Sequence, residues 1–209
     1  MRLLVIADIL LSCGDVSDHV IMEAADAFKC HSIFAVKGNH DSADPFPEPT
    51  VDLHRSSKKC LDVTFGGLNG AWKYKPRGHY LYDQSEVEGY IAIFPCTDIF
   101  ISHNSPRGIH DRSDAIHAGF DGLTSYIVGA KPKILVHGHN HVNKETTCGE
   151  TQVIGVHGWR LIQYSSPSGG FAGSTPLHTS CFISKKNCAE SVPTRNQIHS
   201  QPLASYRNH

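Results

Sequence analysis

Residues 32–41 read SIFAVKGNHD, a short apolar run that ends in a turn and a polar block. The run Ser32–Val36 is rich in β-branched and aromatic residues, which is typical of a strand buried on both faces. Gly38 lets the chain turn sharply after this strand, so that Asn39–Asp41 lie at its carboxyl end. In an α/β sheet, such ends line one crevice, where ligands bind. The stretch therefore predicts an α/β fold with a polar site at strand ends.

The same pattern of an apolar run followed by polar residues recurs along the chain. Because parallel strands end at a common edge, side chains far apart in sequence can meet there. Carboxylate, amide and imidazole groups are the ligand set of a hard to borderline divalent metal ion. His139 and His141 are spaced by two, so in an extended segment both would point the same way, which suits chelation. The polar segments are Asp8, Gly14-Asp15, Gly38-Asn39-His40-Asp41, His103 and Gly138-His139-Asn140-His141.

Periodicity divides the chain into alternating strands and helices, followed by a tail. Apolar residues at helical spacing predict helices over 17–28 and 120–129. We expect one domain at 1–164 and an irregular or disordered tail at 165–209, with at most a short strand at Phe182-Ile183, because the tail is rich in Ser, Pro, Gly, Thr and Asn without a sustained period. The expected strands are Leu3–Ala7, Ser32–Val36, Leu61–Phe65, Gly89–Phe94, Ile99–His103, Lys133–Val136 and Gln152–Val156.

The composition excludes several classes of function. The 209 residues include 19 Lys and Arg against 20 Asp and Glu, a net charge of -1, which excludes a strongly basic nucleic-acid clamp. Without a basic stripe interleaved with aromatic residues, we expect no sequence-specific nucleic-acid partner. No apolar run approaches the roughly 20 residues of a membrane helix. The apolar start is too short for a secretory signal, and the seven cysteines are scattered singly, so we expect a cytoplasmic protein.

The polar segments, taken together and in this order, resemble the calcineurin-like metallophosphoesterases over roughly residues 1 to 160. The GNHD block at 38–41 and the GHNH block at 138–141 are specific when they occur together. The resemblance implies a layered α/β/β/α sandwich with the site at the carboxyl ends of strands. It also implies hydrolysis of phosphomonoesters or phosphodiesters by a hydroxide that bridges two divalent ions about 3.5 to 4 Å apart. Manganese, iron or zinc would suit the mixed oxygen and nitrogen ligands.

The resemblance assigns six residues to the two metal ions. Asp15 would be the carboxylate that bridges them, so its charge would act on both. The other ligands would be Asn39, His103 and His139 for one ion, and His141 and Asp8 for the other.

The resemblance also points to residues that would contact a small phosphate ester substrate. His40 follows the amide ligand and would stabilise the phosphate charge or protonate the leaving oxygen. Arg107, just after His103, is a further candidate for a phosphate contact.

The start of the chain departs from the family pattern. The family has Asp-x-His, a helix and then the strand before Gly-Asp, whereas here Leu10 stands where the histidine is expected and six residues separate Asp8 from Asp15. Parallel neighbours need a crossover of about a dozen residues. One explanation is a segment missing between Ile9 and Leu10, which predicts a Cα spacing there well beyond ~3.8 Å. Alternatively, the chain is a true variant with a crippled first site, or the stretch is one bent strand and another histidine replaces the ligand.

These explanations leave two functions open. The first is a metal-dependent phosphoesterase, and the second is an impaired, metallophosphoesterase-like scaffold or binding protein that retains one metal site. Among the 15 histidines, His110, His137 and His157 lie near the predicted crevice and could orient a ligand. We expect the others outside the polar segments to be solvated or structural: His19, His31, His54, His79, His117, His178, His199 and His209.

Overall fold

The computed structural model describes residues 7–165, 177–183 and 204–206, which form a mixed α/β structure. The described helices are α1 (Asp18–Ala27), α2 (Gln84–Ala92) and α3 (Asp121–Ala130). The described strands are β1 (Ile9–Ser12), β2 (Ser32–Ala35), β3 (Val51–Asp52), β4 (Ser57–Cys60), β5 (Val63–Leu68), β6 (Ala71–Trp72), β7 (Leu81–Tyr82), β8 (Ile99–Ser102), β9 (Ile134–His137), β10 (Lys144–Cys148), β11 (Thr151–Gly155), β12 (Trp159–Ser165), β13 (Leu177–Ile183) and β14 (Ala204–Tyr206).

Two six-stranded sheets pack face to face, and helices cover their outer sides. Sheet A has the strand order β14-β12-β13-β1-β2-β3, and sheet B has the order β10-β11-β9-β8-β5-β4. Leu11 and Phe34 of sheet A and Ile101 and Val136 of sheet B belong to the core between the sheets. Helix α1 packs on the outer face of sheet A, while α2 and α3 pack on that of sheet B. The fold is the layered α/β/β/α sandwich that the resemblance implied.

The carboxyl ends of strands from both sheets meet at one edge of the sandwich. Strands β1 and β2 are parallel neighbours in sheet A, and β8 and β9 are parallel neighbours in sheet B. His103, directly after β8, lies 2.8 Å from the carbonyl of Cys13, directly after β1. The loops that follow these four strands therefore share an edge, as the positions of the polar segments predicted.

Strand β1 is continuous across Ile9 and Leu10. Both residues pair in unbroken register with β2 and with β13. The wide Cα spacing expected from a missing segment is therefore not present in the structure. Side chains alternate along the strand, so Ile9 and Leu11 enter the core between the sheets, whereas Leu10 is fully buried in the cluster beneath α1. Of the expected strand Leu3–Ala7, only Ala7 lies within the described residues, and it is not in a strand.

The predicted strand at Gly89–Phe94 is wrong, because most of this segment belongs to helix α2. The Glu86 side chain accepts a hydrogen bond from the Asp83 N–H at 2.7 Å, which satisfies an amide at the start of the helix. Val87 and Ile91 are buried four residues apart, so they share one helix face. A short apolar run by itself fits a strand, but the buried positions here follow the helical period.

The predicted irregular tail is partly corrected by strands β13 and β14. Strand β13 lies within sheet A, antiparallel to β12 and parallel to β1. The short strand expected at Phe182-Ile183 is therefore the end of a seven-residue strand. Within the described ranges, no helix combines the length and the apolar character that crossing a membrane requires.

We predict that Phe100→Ala destabilises the protein by roughly 3–5 kcal/mol, since it leaves a cavity in the core of sheet B. Phe100 is fully buried, and its ring centroid lies 4.7 Å from that of Tyr126 and 5.4 Å from that of Phe94. Urea unfolding followed by circular dichroism measures the loss. Ile93→Ala is the matched control, because Ile93 is 83% exposed and should change stability by no more than about 0.5 kcal/mol. Equal losses in the two variants would contradict this packing.

Candidate active site

Two glycines let the loops after β1 and β2 approach the ring of His103. A Cβ on Gly38 would lie 2.6 Å from the Asp15 backbone nitrogen and 2.6 Å from His103 Cε1. A Cβ on Gly14 would lie 2.8 Å from His103 Nδ1, and Gly14 also has φ +83°, which favours glycine. Larger residues would push the loops apart, so both positions require glycine for the site to assemble.

Three acceptor atoms lie close together at this edge, and one of them is Nε2 of His103. Because the Cys13 carbonyl can only accept, His103 Nδ1 donates to it at 2.8 Å, and Nε2 of the neutral ring keeps its lone pair. That atom lies 3.1 Å from Asn39 Oδ1 and 3.6 Å from Asp15 Oδ2. The side chains of His103 and Asp15 are only 0% and 3% exposed. A buried group of acceptors with a carboxylate among them is stabilised by a cation.

His139 lies beside this group. Its ring centroid is 5.0 Å from that of His103, and the residue is buried. Burial is the main cause that lowers the pKa of His139 to about 3, so the ring is neutral at pH 7. Its Nε2 donates to the Ile116 carbonyl at 3.3 Å, which leaves the Nδ1 lone pair available to a cation. His139 has φ +58°, a strained conformation of the kind that clusters at functional sites.

The side chains present fit one divalent ion by their chemistry. Asp15, Asn39, His103 and His139 offer one carboxylate oxygen, one amide oxygen and two imidazole nitrogens, which is a suitable set for a borderline ion. In the part of the chain that the structure describes, no three His, Cys, Asp or Glu side chains are already spaced as a metal site. Ion binding would therefore draw the side chains of Asp15, His103 and His139 closer together than they are here.

Asp8 and Leu10 do not join this group. The four residues of β1, at about 3.3 Å each, separate Asp8 from the edge that carries Asp15. Burial raises the pKa of the Cys30 thiol to about 11, and the charge of Asp8 contributes to this shift, so Asp8 lies near Cys30, just before β2. The expected role of Asp8 as a metal ligand therefore does not agree with this geometry, because β1 places it at the opposite edge of sheet A.

His141 and Arg107 have other neighbours. His141 is exposed, and its ring centroid lies 5.1 Å from that of His157, one of the histidines expected near the crevice. The Arg107 guanidinium is paired with Asp121 in the first turn of α3, at 3.5 Å. The structure thus directs Arg107 toward α3, and the residue does not line the cavity described below.

Asp41 holds the ligand loops together, a role that the sequence did not reveal. Its Oδ2 accepts hydrogen bonds from the backbone N–H groups of Asp15 at 2.8 Å and Gly38 at 2.7 Å. Burial raises the pKa of Asp41, while the two amide donors oppose this change. The N–H of His40 donates in turn to Asp15 Oδ1 at 2.9 Å. The feature of the sequence that could have indicated this role is the position of Asp41 in the GNHD block.

A cavity of about 330 Å³ opens beside Asp15 and is lined by His40, Lys37 and Asp18 among others. The Lys37 side chain is only 5% exposed, and its ammonium lies 3.8 Å from Asp18 Oδ1 and 3.9 Å from the centroid of the Phe46 ring. Lys37 directly precedes the GNHD block, but no motif in the sequence indicated a role for it. The cavity is therefore lined both by Asp15 of the acceptor group and by a buried cation.

We predict that Gly38→Ala destabilises the protein by about 1–3 kcal/mol, because the added methyl group overlaps Asp15 and His103. Gly89→Ala is the matched control, since a Cβ there meets nothing within 4 Å and alanine favours helix α2 by roughly 0.5–1 kcal/mol. Chemical unfolding of both variants measures the two effects. A Gly38→Ala protein as stable as Gly89→Ala would contradict the close approach of the loops.

Among known proteins, similarity to this chain is found in solved structures and not in curated sequences. No curated protein sequence matches the chain significantly. One solved crystal structure shares 18% identity and a TM-score of 0.50, over 66% of this chain and 61% of its own length, so its likeness concerns the fold alone. The crystal structure of TT1561 of Thermus thermophilus is 15% identical, with a TM-score of 0.48 over 72% of this chain and 77% of that one.

A family model covers the segments that build the site. The model of the calcineurin-like phosphoesterases matches residues 3–143, which include the loops after β1, β2, β8 and β9. With the four-layered fold and the buried group of acceptors at the shared edge, this match shows that the chain belongs to the calcineurin-like phosphoesterase family.

Proposed function

We propose that this protein hydrolyses small phosphate esters with a divalent ion held by Asp15, Asn39, His103 and His139. The observation that carries the proposal is the buried convergence of acceptors around His103 Nε2, 3.1 Å from Asn39 Oδ1 and 3.6 Å from Asp15 Oδ2. Family membership supports metal-dependent phosphoester hydrolysis in general. When bound, a divalent ion supplies charge that neutralises phosphate and makes a water molecule more acidic.

The chain's own residues would bind and orient the substrate. His40 lines the cavity beside Asp15, and its ring is available to contact a phosphate oxygen or to hold a proton for the leaving oxygen. Asp41 keeps Asp15 and Gly38 in place through two backbone hydrogen bonds. A cavity of about 330 Å³ is at the small end of ligand sites, which favours a small substrate over a macromolecule. Phosphomonoesters and phosphodiesters both belong to this proposal.

A second candidate is a one-metal binding protein or scaffold with impaired catalysis. The observation that favours it is the position of Asp8 before β1 and of Leu10 beneath α1. Neither residue can serve the site at the opposite edge of sheet A. His141, the remaining ligand expected for the other ion, is exposed beside His157. A second ion would therefore need ligands other than those that the family pattern assigns.

We predict that the protein with Mn²⁺ hydrolyses p-nitrophenyl phosphate or bis-p-nitrophenyl phosphate, and that Asp15→Asn and His103→Gln lower the rate more than about 100-fold. Even residues that only orient ligands change activity by about 10–100-fold, so the ligands themselves should matter at least as much. His40→Ala should lower the rate while leaving Mn²⁺ affinity nearly unchanged. His79→Ala, at an exposed position, is the control. Equal rates in all these proteins would reject the site.

We also predict that the chain binds one Mn²⁺ per molecule, and that Asp15→Asn abolishes this binding. Isothermal titration, with the bound metal counted by elemental analysis, gives the stoichiometry independently of activity. Asp8→Asn should leave the stoichiometry unchanged, because Asp8 lies at the other edge of sheet A. Two ions per chain in the wild-type protein, or loss of an ion in Asp8→Asn, would contradict the one-site geometry. One ion without hydrolysis of either ester would favour the binding protein over the enzyme.

A further inference from the structure

A chain of three side-chain hydrogen bonds lies behind the loop that carries His139. The Thr146 hydroxyl lies 2.9 Å from His110 Nε2, and His110 Nδ1 lies 2.9 Å from His137 Nε2. His137 Nδ1 lies 3.0 Å from the Gly138 carbonyl. We propose that Thr146, His110 and His137 are positioning residues, which hold the peptide between Gly138 and His139 so that His139 can bind its ion. This inference rests on the proposed function of His139.

The direction of every bond in the chain follows from its carbonyl end. The Gly138 carbonyl can only accept, so His137 Nδ1 carries the proton and Nε2 of the neutral ring is an acceptor. His110 must then donate from Nδ1, which leaves its Nε2 to accept from the Thr146 hydroxyl. The Gly138 carbonyl thus sets the tautomers of both histidines, and the Thr146 hydroxyl on β10 satisfies the last acceptor, in the way that outer hydrogen bonds orient metal-binding residues.

Both histidines have surroundings that keep them neutral. His137 is fully buried, where a charged ring would be costly. His110 is half-buried, and burial, followed by the charge of Lys144, lowers its pKa to about 4. A neutral pair can be linked by one proton between the two rings, whereas two charged rings would repel each other. The buried geometry and the bond directions therefore agree.

The chain ends at a strained turn centred on His139. The Gly138 carbonyl also accepts a hydrogen bond from the Asn140 N–H at 2.7 Å, and His139 between them has φ +58°. A three-residue turn of this hand is rare and strained, so it persists only where its surroundings hold it. The Gly138 N–H donates to the His103 carbonyl at 3.1 Å, which ties the same peptide segment to the other imidazole ligand.

Other bonds hold the far side of the turn. The Asn140 amide donates to Ser105 Oγ at 2.8 Å and to the His110 carbonyl at 3.0 Å, and Arg112 donates to the Asn140 carbonyl at 2.9 Å. These contacts hold Asn140, which follows His139, whereas the hydrogen bonds that begin at Thr146 hold the peptide that precedes His139. Loss of the chain should therefore alter the presentation of His139 without releasing the whole loop.

The test compares Thr146→Val with Thr147→Val, a neighbouring exposed position on β10. Valine keeps the shape of threonine but cannot donate to His110. Long-range ¹H–¹⁵N NMR of the imidazole rings in the metal-free protein reports the tautomers. We expect Nδ1–H in both His110 and His137 of all three proteins, and a changed ¹⁵N shift of His110 Nε2 in Thr146→Val alone, because only that variant loses the hydrogen bond to this atom. Zn²⁺ affinity by isothermal titration should fall about 10–100-fold in Thr146→Val alone.

A conservative variant separates positioning from simple packing. His110→Asn places an amide N–H near the position of Nδ1 and can still donate to His137, so it should bind Zn²⁺ more tightly than His110→Ala. An Nε2–H tautomer at His137 in the wild type, or equal Zn²⁺ affinity in Thr146→Val and Thr147→Val, would overturn this inference alone. A wild-type protein that does not bind Zn²⁺ or Mn²⁺ would overturn the proposed function, and this role of the chain with it.

Discussion

The hydrogen bond between His103 and the Cys13 carbonyl is the interaction on which the site depends. It joins the loop after β8 in sheet B to the loop after β1 in sheet A at a distance of 2.8 Å. It also determines which ring nitrogen of His103 faces Asn39 and Asp15. The small size of Gly14 and Gly38 makes this approach possible, and Asp41 then secures the backbone around it. The arrangement of the acceptor atoms at this edge therefore depends on how closely the loops after β1 and β8 can pack.

Most of the fold and half of the site could be predicted from local patterns. The buried strands before Gly14, Gly38 and His103 predicted a common edge, and the structure places Asp15, Asn39 and His103 there. The roles of Asp41 and the His110–His137 pair depend on contacts between residues 26 to 36 positions apart, which no periodicity reveals. The short apolar run in α2 fits both the strand and the helix period, and the capping contact at Asp83 decides between them.

Asp8 shows why a motif can be present in sequence and absent from a site. In the sequence it follows an apolar run and resembles the first ligand of the family pattern. In the structure it precedes β1, and the strand itself begins at Ile9. Whether a strand ends before Asp8 or begins after it decides which edge of the sheet carries this side chain. Assigning Asp8 as a ligand from the motif therefore depends on which residues form the strand. In the structure, the residues that follow Asp8 form it.

The candidate ligands are divided between the two sheets, and this division has a thermodynamic consequence. Asp15 and Asn39 follow strands of sheet A, whereas His103 and His139 follow strands of sheet B. An ion bound by all four would link the two layers, in addition to the apolar side chains between them and the hydrogen bond from His103 to Cys13. Ion binding would then stabilise the folded sandwich against unfolding, by about 2.7 kcal/mol when the free ion concentration is 100 times the dissociation constant. The ion would act as a cross-link in the architecture as well as a participant in chemistry.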